Sequence, residues 1–326
     1  MAACECIEGK IPYTVNGETF VTYYKLFGTL FTSSNPPLVV LHGGPSLSHD
    51  YLLPLSDLAS LDNPTPVIFY DQLGTGRSTH LPSKPSSFWS IDLFVSELEN
   101  LLSHFSIPDS FDLLGHSWGG ILAAEFIIRR QPKGLRRVVL SNTLVSARLR
   151  NEAGARLRKA LPGDIQEILR RHEEEGTTKA VEYTQAIFKF YQKHLCRIQP
   201  FPEELLYSFK QSELDDTVLK NMRKNGLEDK WDIRDKVHLI RVPTLLLNGE
   251  YDFETDEVCA PFFWGIEKVK WVKFAHSSHV PHWEERERYI QVVDAFLRAQ
   301  LEILVDMREP EANSGALLTK LPPHCL

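Results

Sequence analysis

Gly115-His116-Ser117-Trp118-Gly119 restricts this chain more than any other stretch. It has the form G-x-S-x-G. The apolar run Phe111 to Leu114 precedes it, and Ile121 to Ile128 follows with helical character. A strand that turns sharply into a helix needs residues without a Cβ beside the turn. It then holds the serine hydroxyl clear of the backbone at the top of a sheet. In that context Ser117 reads as a nucleophile. The bland alternative, a tight glycine turn with a solvated serine, accounts less well for the flanking strand and helix.

The rest of the chain supplies such a sheet. Residues 5 to 26 alternate around Asn16-Gly17, a hairpin signal. Short apolar runs follow at Leu38–Leu41, Val67–Tyr70, Phe111–Leu114, Val138–Leu140, Thr244–Leu247 and Trp271–Phe274, with amphipathic segments such as Ile91–Phe105 between several of them. Fully apolar strands alternating with helices predict a mostly parallel sheet covered on both faces. The alternation stops between about Ala147 and Ile240. There Arg148–Leu161, Asp164–Glu175 and Lys179–His194 have helical spacing, punctuated by Gly163, Gly176, Pro200 and Pro202. We expect an α/β core over residues 1–146 and 241–305, a helical cap over 147–240, and a loosely ordered tail over 306–326. A cap there would lie over the carboxyl ends of the strands, where open α/β sheets bind ligands. The last helix is expected over Glu285–Leu304.

Composition narrows the partners. The 326 residues carry a net charge of -7, which gives no reason to expect nucleic acid or an anionic membrane. No apolar run is long enough to span a bilayer, and the first residues lack a signal-peptide pattern. Cys4, Cys6, Cys196, Cys259 and Cys325 are scattered and odd in number. They read as free thiols in a cytoplasmic protein, not as a disulfide framework or metal site. Phe262-Phe263-Trp264 reads as packing, and Glu173-Glu174-Glu175 as a solvated run.

A serine hydroxyl needs a base within hydrogen-bond reach and a carboxylate that holds the base in one tautomer. On a strand–turn–helix frame of this kind, the acid follows the serine in the chain and the histidine comes last. Asp252, in a loop after Leu245-Leu246-Leu247, is the first choice of acid; Glu250 and Asp256 compete. His279 is the first choice of base, flanked by His276 and His282. Three histidines so spaced lack the convergent ligand set that metal needs, so no metal is expected. The tetrahedral intermediate needs backbone N–H donors. Trp118, directly after the serine, is one. Gly44, in His42-Gly43-Gly44-Pro45 after the run Leu38–Leu41, is the other. Asp71-Gln72-Leu73-Gly74-Thr75-Gly76-Arg77-Ser78 lacks the third glycine of a dinucleotide fingerprint and reads as a rigid loop beside the site.

Five segments occur together and in order: HGGP at 42–45, DQLGTGRS at 71–78, GHSWGG at 115–120, GEYD at 249–252 and SSHVPHWEE at 277–285. In these the chain resembles the prolyl aminopeptidase (proline iminopeptidase) family of α/β-hydrolases. It is most similar to the branch containing the tricorn-interacting aminopeptidase. The likeness runs over roughly residues 5 to 300. It implies the α/β-hydrolase fold, with a mostly parallel central sheet, helices on both faces and an inserted helical cap. It implies a triad at Ser117, Asp252 and His279, oxyanion donors at Gly44 and Trp118, and no cofactor. Family members release an N-terminal residue, often proline, from short peptides and amides, and bind the free amine through acidic side chains.

Those acidic residues do not carry over. The glutamate that directly follows the triad aspartate in the aminopeptidase branch is Phe253 here, with Glu254 one further on. A second family glutamate is missing from the shortened stretch Asn221–Asp229, and Ser46 replaces a glycine usual after HGGP. An unpaired buried ammonium is costly. The pocket is therefore expected to favour apolar, neutral surface, unless Glu254, Glu203, Glu204 or Glu228 compensates. Gly43, Phe253, Glu254, Tyr191 and Phe201 are the candidate substrate contacts.

The leading expectation is a serine hydrolase acting on a small amide, ester or lactone, or on a short peptide. A role as a tailoring enzyme of specialised metabolism fits the altered pocket. A true proline iminopeptidase is the main alternative. A lyase, isomerase or cyclase using His279 as base, or a ligand-binding protein on the same frame, is also compatible with the motifs.

Overall fold

A computed structural model of the chain describes residues 5–30 and 33–299. The expected tail, Cys4 and Cys325 lie outside the described residues. The hairpin forms first: β1 (Cys6–Val15) and β2 (Glu18–Phe27) pair antiparallel around Asn16 and Gly17. Both turn residues have positive φ, 52° and 79°, the geometry that Asn-Gly supplies at low cost. The apolar runs become β3 (Leu38–Leu41), β4 (Val67–Asp71), β5 (Phe111–His116), β6 (Leu135–Ser141), β7 (Thr244–Gly249) and β8 (Val269–Phe274). The eight strands form one sheet in the order β1-β2-β4-β3-β5-β6-β7-β8. From β4 to β8 the pairing is parallel, and β2 joins β4 antiparallel.

The central strands are apolar throughout because both faces are covered. Leu38 and Val40 point into one core cluster, Val39 and Leu41 into the other. Helices α1 (Ile91–His104) and α2 (Trp118–Arg130) close the Val39 face. Ser90 caps α1 by accepting from Leu93 N–H at 3.2 Å. A 3₁₀ segment, His49–Ser60, closes the Leu38 face.

Between β6 and β7 the chain runs through α3 (Ala147–Lys159), α4 (Gly163–Glu174), α5 (Val181–His194), α6 (Glu203–Leu214) and α7 (Thr217–Lys224). This excursion begins and ends at one place. Ala147 N–H donates to Trp231 C=O at 2.9 Å, and Ile233 N–H to Val145 C=O at 3.0 Å. Residues Ile233, Val237 and Ile240 then pack into the core beneath the sheet.

After β7 come α8 (Asp256–Gly265), α9 (Pro281–Glu284) and α10 (Arg286–Leu297). Two expectations are corrected here. The last helix starts at Arg286 and stops at Leu297, short of Leu304, because Ala299 takes a left-handed φ of 60°. In α8, Phe262 and Phe263 are buried, but Trp264 faces outward. No helix among the described residues is long and apolar enough to cross a membrane.

Glycine at 119 is required by contact. A Cβ there would lie 2.0 Å from the Leu41 carbonyl oxygen, whereas nothing lies within 4 Å of a Cβ at Gly154 in α3. Gly119→Ala should lose about 1–3 kcal/mol or more in urea unfolding, and Gly154→Ala should gain about 0.5–1 kcal/mol. Equal stabilities of the two variants would contradict the packing described.

Candidate active site

Ser117 sits where β5 ends and α2 begins, with φ 55° and ψ -120°. Such a conformation costs a non-glycine residue about 1–3 kcal/mol and persists only where surroundings impose it. Ser117 N–H donates to Ser141 C=O at 3.0 Å, and Ser117 C=O accepts from Thr143 Oγ1 at 2.8 Å. The glycines around it admit neighbouring backbone. A Cβ at Gly115 would meet the Gly119 carbonyl at 2.2 Å, and one at Gly120 would meet the Thr143 side chain at 2.5 Å.

Asp252 and His279 are brought together from separate loops. His279 Nδ1 lies 2.8 Å from Asp252 Oδ1. A carboxylate oxygen only accepts, so Nδ1 carries the proton and Nε2 is left as the basic nitrogen. Asp252 also accepts from Asn142 Nδ2 at 2.7 Å and from Glu254 N–H at 2.9 Å. The loops are laced by Glu250 N–H to Phe274 C=O and Tyr251 N–H to Ser277 C=O. Burial raises the Asp252 carboxyl and lowers the His279 imidazole, the latter with help from the nearby Arg150 charge. The competing acids are engaged elsewhere: Glu250 and Asp256 both bind Lys273, at 2.6 and 2.8 Å. The three histidines do not converge. His282 Nε2 lies 3.1 Å from Tyr51 C=O, and His276 is exposed.

The loop at 42–45 passes close by. A Cβ on Gly43 would lie 3.1 Å from the Ser117 Cβ. Gly43 N–H donates to the Tyr51 hydroxyl at 2.7 Å, so it is already engaged, while the next N–H in the loop belongs to Gly44. Trp118 opens α2, and its N–H is one of those an α-helix leaves unbonded. Its indole donates to Gln72 Oε1 at 2.8 Å, and Gln72 Nε2 donates to His42 C=O at 3.0 Å. Gln72, in the loop after β4, thus clamps the two segments that bear Gly44 and Trp118. Ser46 lies 2.5 Å from Ser212 of α6, Oγ to Oγ.

A cavity of about 690 Å³ joins these parts, lined among others by Gly44, Ser117, Tyr191, Phe253 and His279. Phe253 stacks on the His279 ring with centroids 4.1 Å apart. The other candidates lie off the cavity. Glu254 is buried, 3.5 Å from Arg150. Phe201 is buried against Phe188, with ring centroids 5.0 Å apart. Trp118 and Gly43 lie in the wall without facing the cavity.

Sequence reading missed Tyr51, Asn142, Gln72 and the part played by His116. His116 Nε2 lies 2.7 Å from the His279 carbonyl oxygen and so donates to it; Nδ1 is then an acceptor for the Tyr51 hydroxyl at 2.8 Å. Asn142, Gln72 and His116 left one signal, a polar residue at the carboxyl end of a core strand; Tyr51 left none.

The chain matches the α/β hydrolase fold family over residues 36–286. It is 36% identical to a proline iminopeptidase of Saccharolobus solfataricus over 280 residues, 84% of this chain and 88% of that protein. The crystal structure of VinJ matches with a TM-score of 0.84 and 38% identity, covering 90% of this chain and 99% of VinJ. That of a proline iminopeptidase from Mycobacterium smegmatis matches with a TM-score of 0.80 and 34% identity, covering 91% and 100%. The chain belongs to the α/β-hydrolase family and, within it, groups with the proline iminopeptidases.

Tyr51 joins the glycine loop to His116. Tyr51→Phe leaves the Gly43 N–H and the His116 Nδ1 without their partner, at about 1–3 kcal/mol for each stranded group. Denaturant unfolding should register that loss. A variant as stable as the parent would show that the relay does not hold these segments.

Proposed function

We propose that the protein is a serine hydrolase that forms an acyl-enzyme on Ser117. The observation that carries the reading is the buried His279–Asp252 pair, joined by one cavity to a serine held in a strained turn. His279 Nε2 takes the Ser117 proton as Oγ attacks a carbonyl carbon. The N–H groups of Gly44 and Trp118 hold the oxyanion. Collapse expels the amine or alcohol, which takes the proton from His279. Water, deprotonated by the same nitrogen, then attacks the ester and returns Ser117. Asp252 keeps the imidazole in the required tautomer and steadies its charged form. Helices α3 to α7 serve as the cap, and the substrate is a small amide, ester or lactone enclosed beneath them.

A second reading is a true proline iminopeptidase, favoured by relatives of that name over most of the chain. It requires a group that receives a free ammonium. Phe253 occupies the place where the family has a glutamate, and Glu254 is buried outside the cavity lining, beside Arg150. Proline p-nitroanilide against neutral acyl p-nitrophenyl esters separates the two. The first reading expects efficient ester cleavage and weak anilide cleavage, and both lost by about 10⁴-fold or more in Ser117→Ala. Anilide cleavage exceeding that of the esters would establish the second.

The base also predicts a pH profile. Burial shifts protonation of His279 to lower pH, so the neutral, competent form persists below the ordinary histidine value of about 6.5. The acid limb of kcat/KM should therefore fall below that value. A limb above pH 7 would contradict the buried, neutral base.

A further inference from the structure

Resting on the serine-hydrolase reading, we propose that the cavity selects substrates bearing a carboxylate away from the scissile carbonyl, recognised by Arg150 and Arg158 of α3 with Arg223 of α7. Arg150, Gly154 and Arg158 are four residues apart on α3, so they share one face, and all three line the cavity. The glycine between the arginines leaves open room, with nothing within 4 Å of where its Cβ would stand. Arg223, at the end of α7, lines the same space.

Each guanidinium has a carboxylate nearby, but two of those three acids, Glu173 and Glu254, stand outside the cavity lining. Glu228 is the only carboxylate residue in the lining, and it is taken by Arg223 at 2.7 Å. Arg158 binds Glu173 through Nη1 at 2.7 Å, and its other nitrogens have no protein acceptor among the described residues. The Arg150 guanidinium donates no hydrogen bond to any described residue, only its backbone N–H doing so, to Ser146 C=O. Among the described residues its ion-pair partner is Glu254, at the longer separation of 3.5 Å, and burial raises that carboxyl as it raises Asp252. Arg150 also lies over the Phe253 ring, 5.9 Å from its centroid, and Phe253 in turn covers His279. A chain with net charge -7 thus lines the cavity beside its proposed base with three arginines and one glutamate. Tyr191 lines the same cavity as all three arginines.

Guanidinium groups with free N–H forks take carboxylates in paired, charge-assisted hydrogen bonds. The same positive field repels an ammonium. The proposal therefore also gives a physical reason why an amine-terminated substrate is a poor fit.

The test uses probes of one length and three charges. Monomethyl adipate, dimethyl adipate and methyl 6-aminohexanoate compete with a fluorophosphonate for Ser117 in the full-length protein. A fourth probe, 6-acetoxyhexanoate, moves the carboxylate from the acyl side to the leaving-group side. The expected result is that one of the two anions protects Ser117 at a concentration at least about tenfold below the neutral diester, with the cation weakest. Which anion protects assigns the side. In Arg150→Gln and Arg158→Gln, the ratio of anionic to neutral protection should fall toward one. Neutral or cationic probes protecting as well as either anion, or a ratio unchanged in both variants, would overturn the proposal. Absence of fluorophosphonate labelling at Ser117 would instead overturn the serine-hydrolase reading beneath it.

Discussion

The left-handed turn at Ser117 is the constraint on which the rest of the architecture depends. Strand β5 must become α2 within one residue, at φ 55°, in the middle of the sheet. Neighbouring backbone must then come very close. The Leu41 carbonyl reaches Gly119, the Gly119 carbonyl reaches Gly115, and Thr143 reaches Gly120. Each contact excludes a side chain, and together they over-determine a conformation that serine would otherwise avoid. The bonds from Ser117 N–H to Ser141 and from Thr143 to Ser117 C=O then tie the turn to β6.

Around this turn, buried polar side chains fix the distances between loops that share no sequence proximity. Tyr51 and His116 connect the glycine loop to the elbow and to the His279 carbonyl. Gln72 connects His42 to Trp118, and Asn142 connects Asp252 to the Ser278 carbonyl. Every one of these groups is sealed from water, so a missing partner costs more than the bond itself contributes. Ser46 and Ser48 extend the same lacing outward, since they meet Ser212 and Ser208 on α6. Rigidity of the glycine loop is thereby shared between the sheet and the helical segment above it.

Much of this was legible in local sequence because local rules decide it. Asn16-Gly17 dictates a hairpin, uniformly apolar runs dictate doubly covered strands, and G-x-S-x-G dictates the elbow. Asp252 and His279 stood out as candidates because each follows a strand in the expected chain order, and the fold brings the two side chains together. Tyr51, Gln72 and the strand order were not legible, because they depend on residues far apart in the chain, 65 positions from Tyr51 to His116 and 46 from Gln72 to Trp118. Phe201 was a candidate contact as an aromatic residue of the cap segment; the structure packs it against Phe188, outside the cavity lining. The end of the last helix was overestimated because periodicity does not report a left-handed residue such as Ala299. The arginine face of α3 was present in the sequence at four-residue spacing. Its meaning depends on the cavity it faces, which only the fold supplies.

The central claim is that Ser117 becomes covalently acylated during turnover. Rapid-quench mass spectrometry with a slowly deacylating p-nitrophenyl ester tests it most directly. The account predicts a burst of p-nitrophenol matched by a mass gain of one acyl group on the peptide containing Ser117, decaying as hydrolysis proceeds and absent in Ser117→Ala. Turnover with no acylated peptide at any time point, or with the acyl group on another residue, would contradict it.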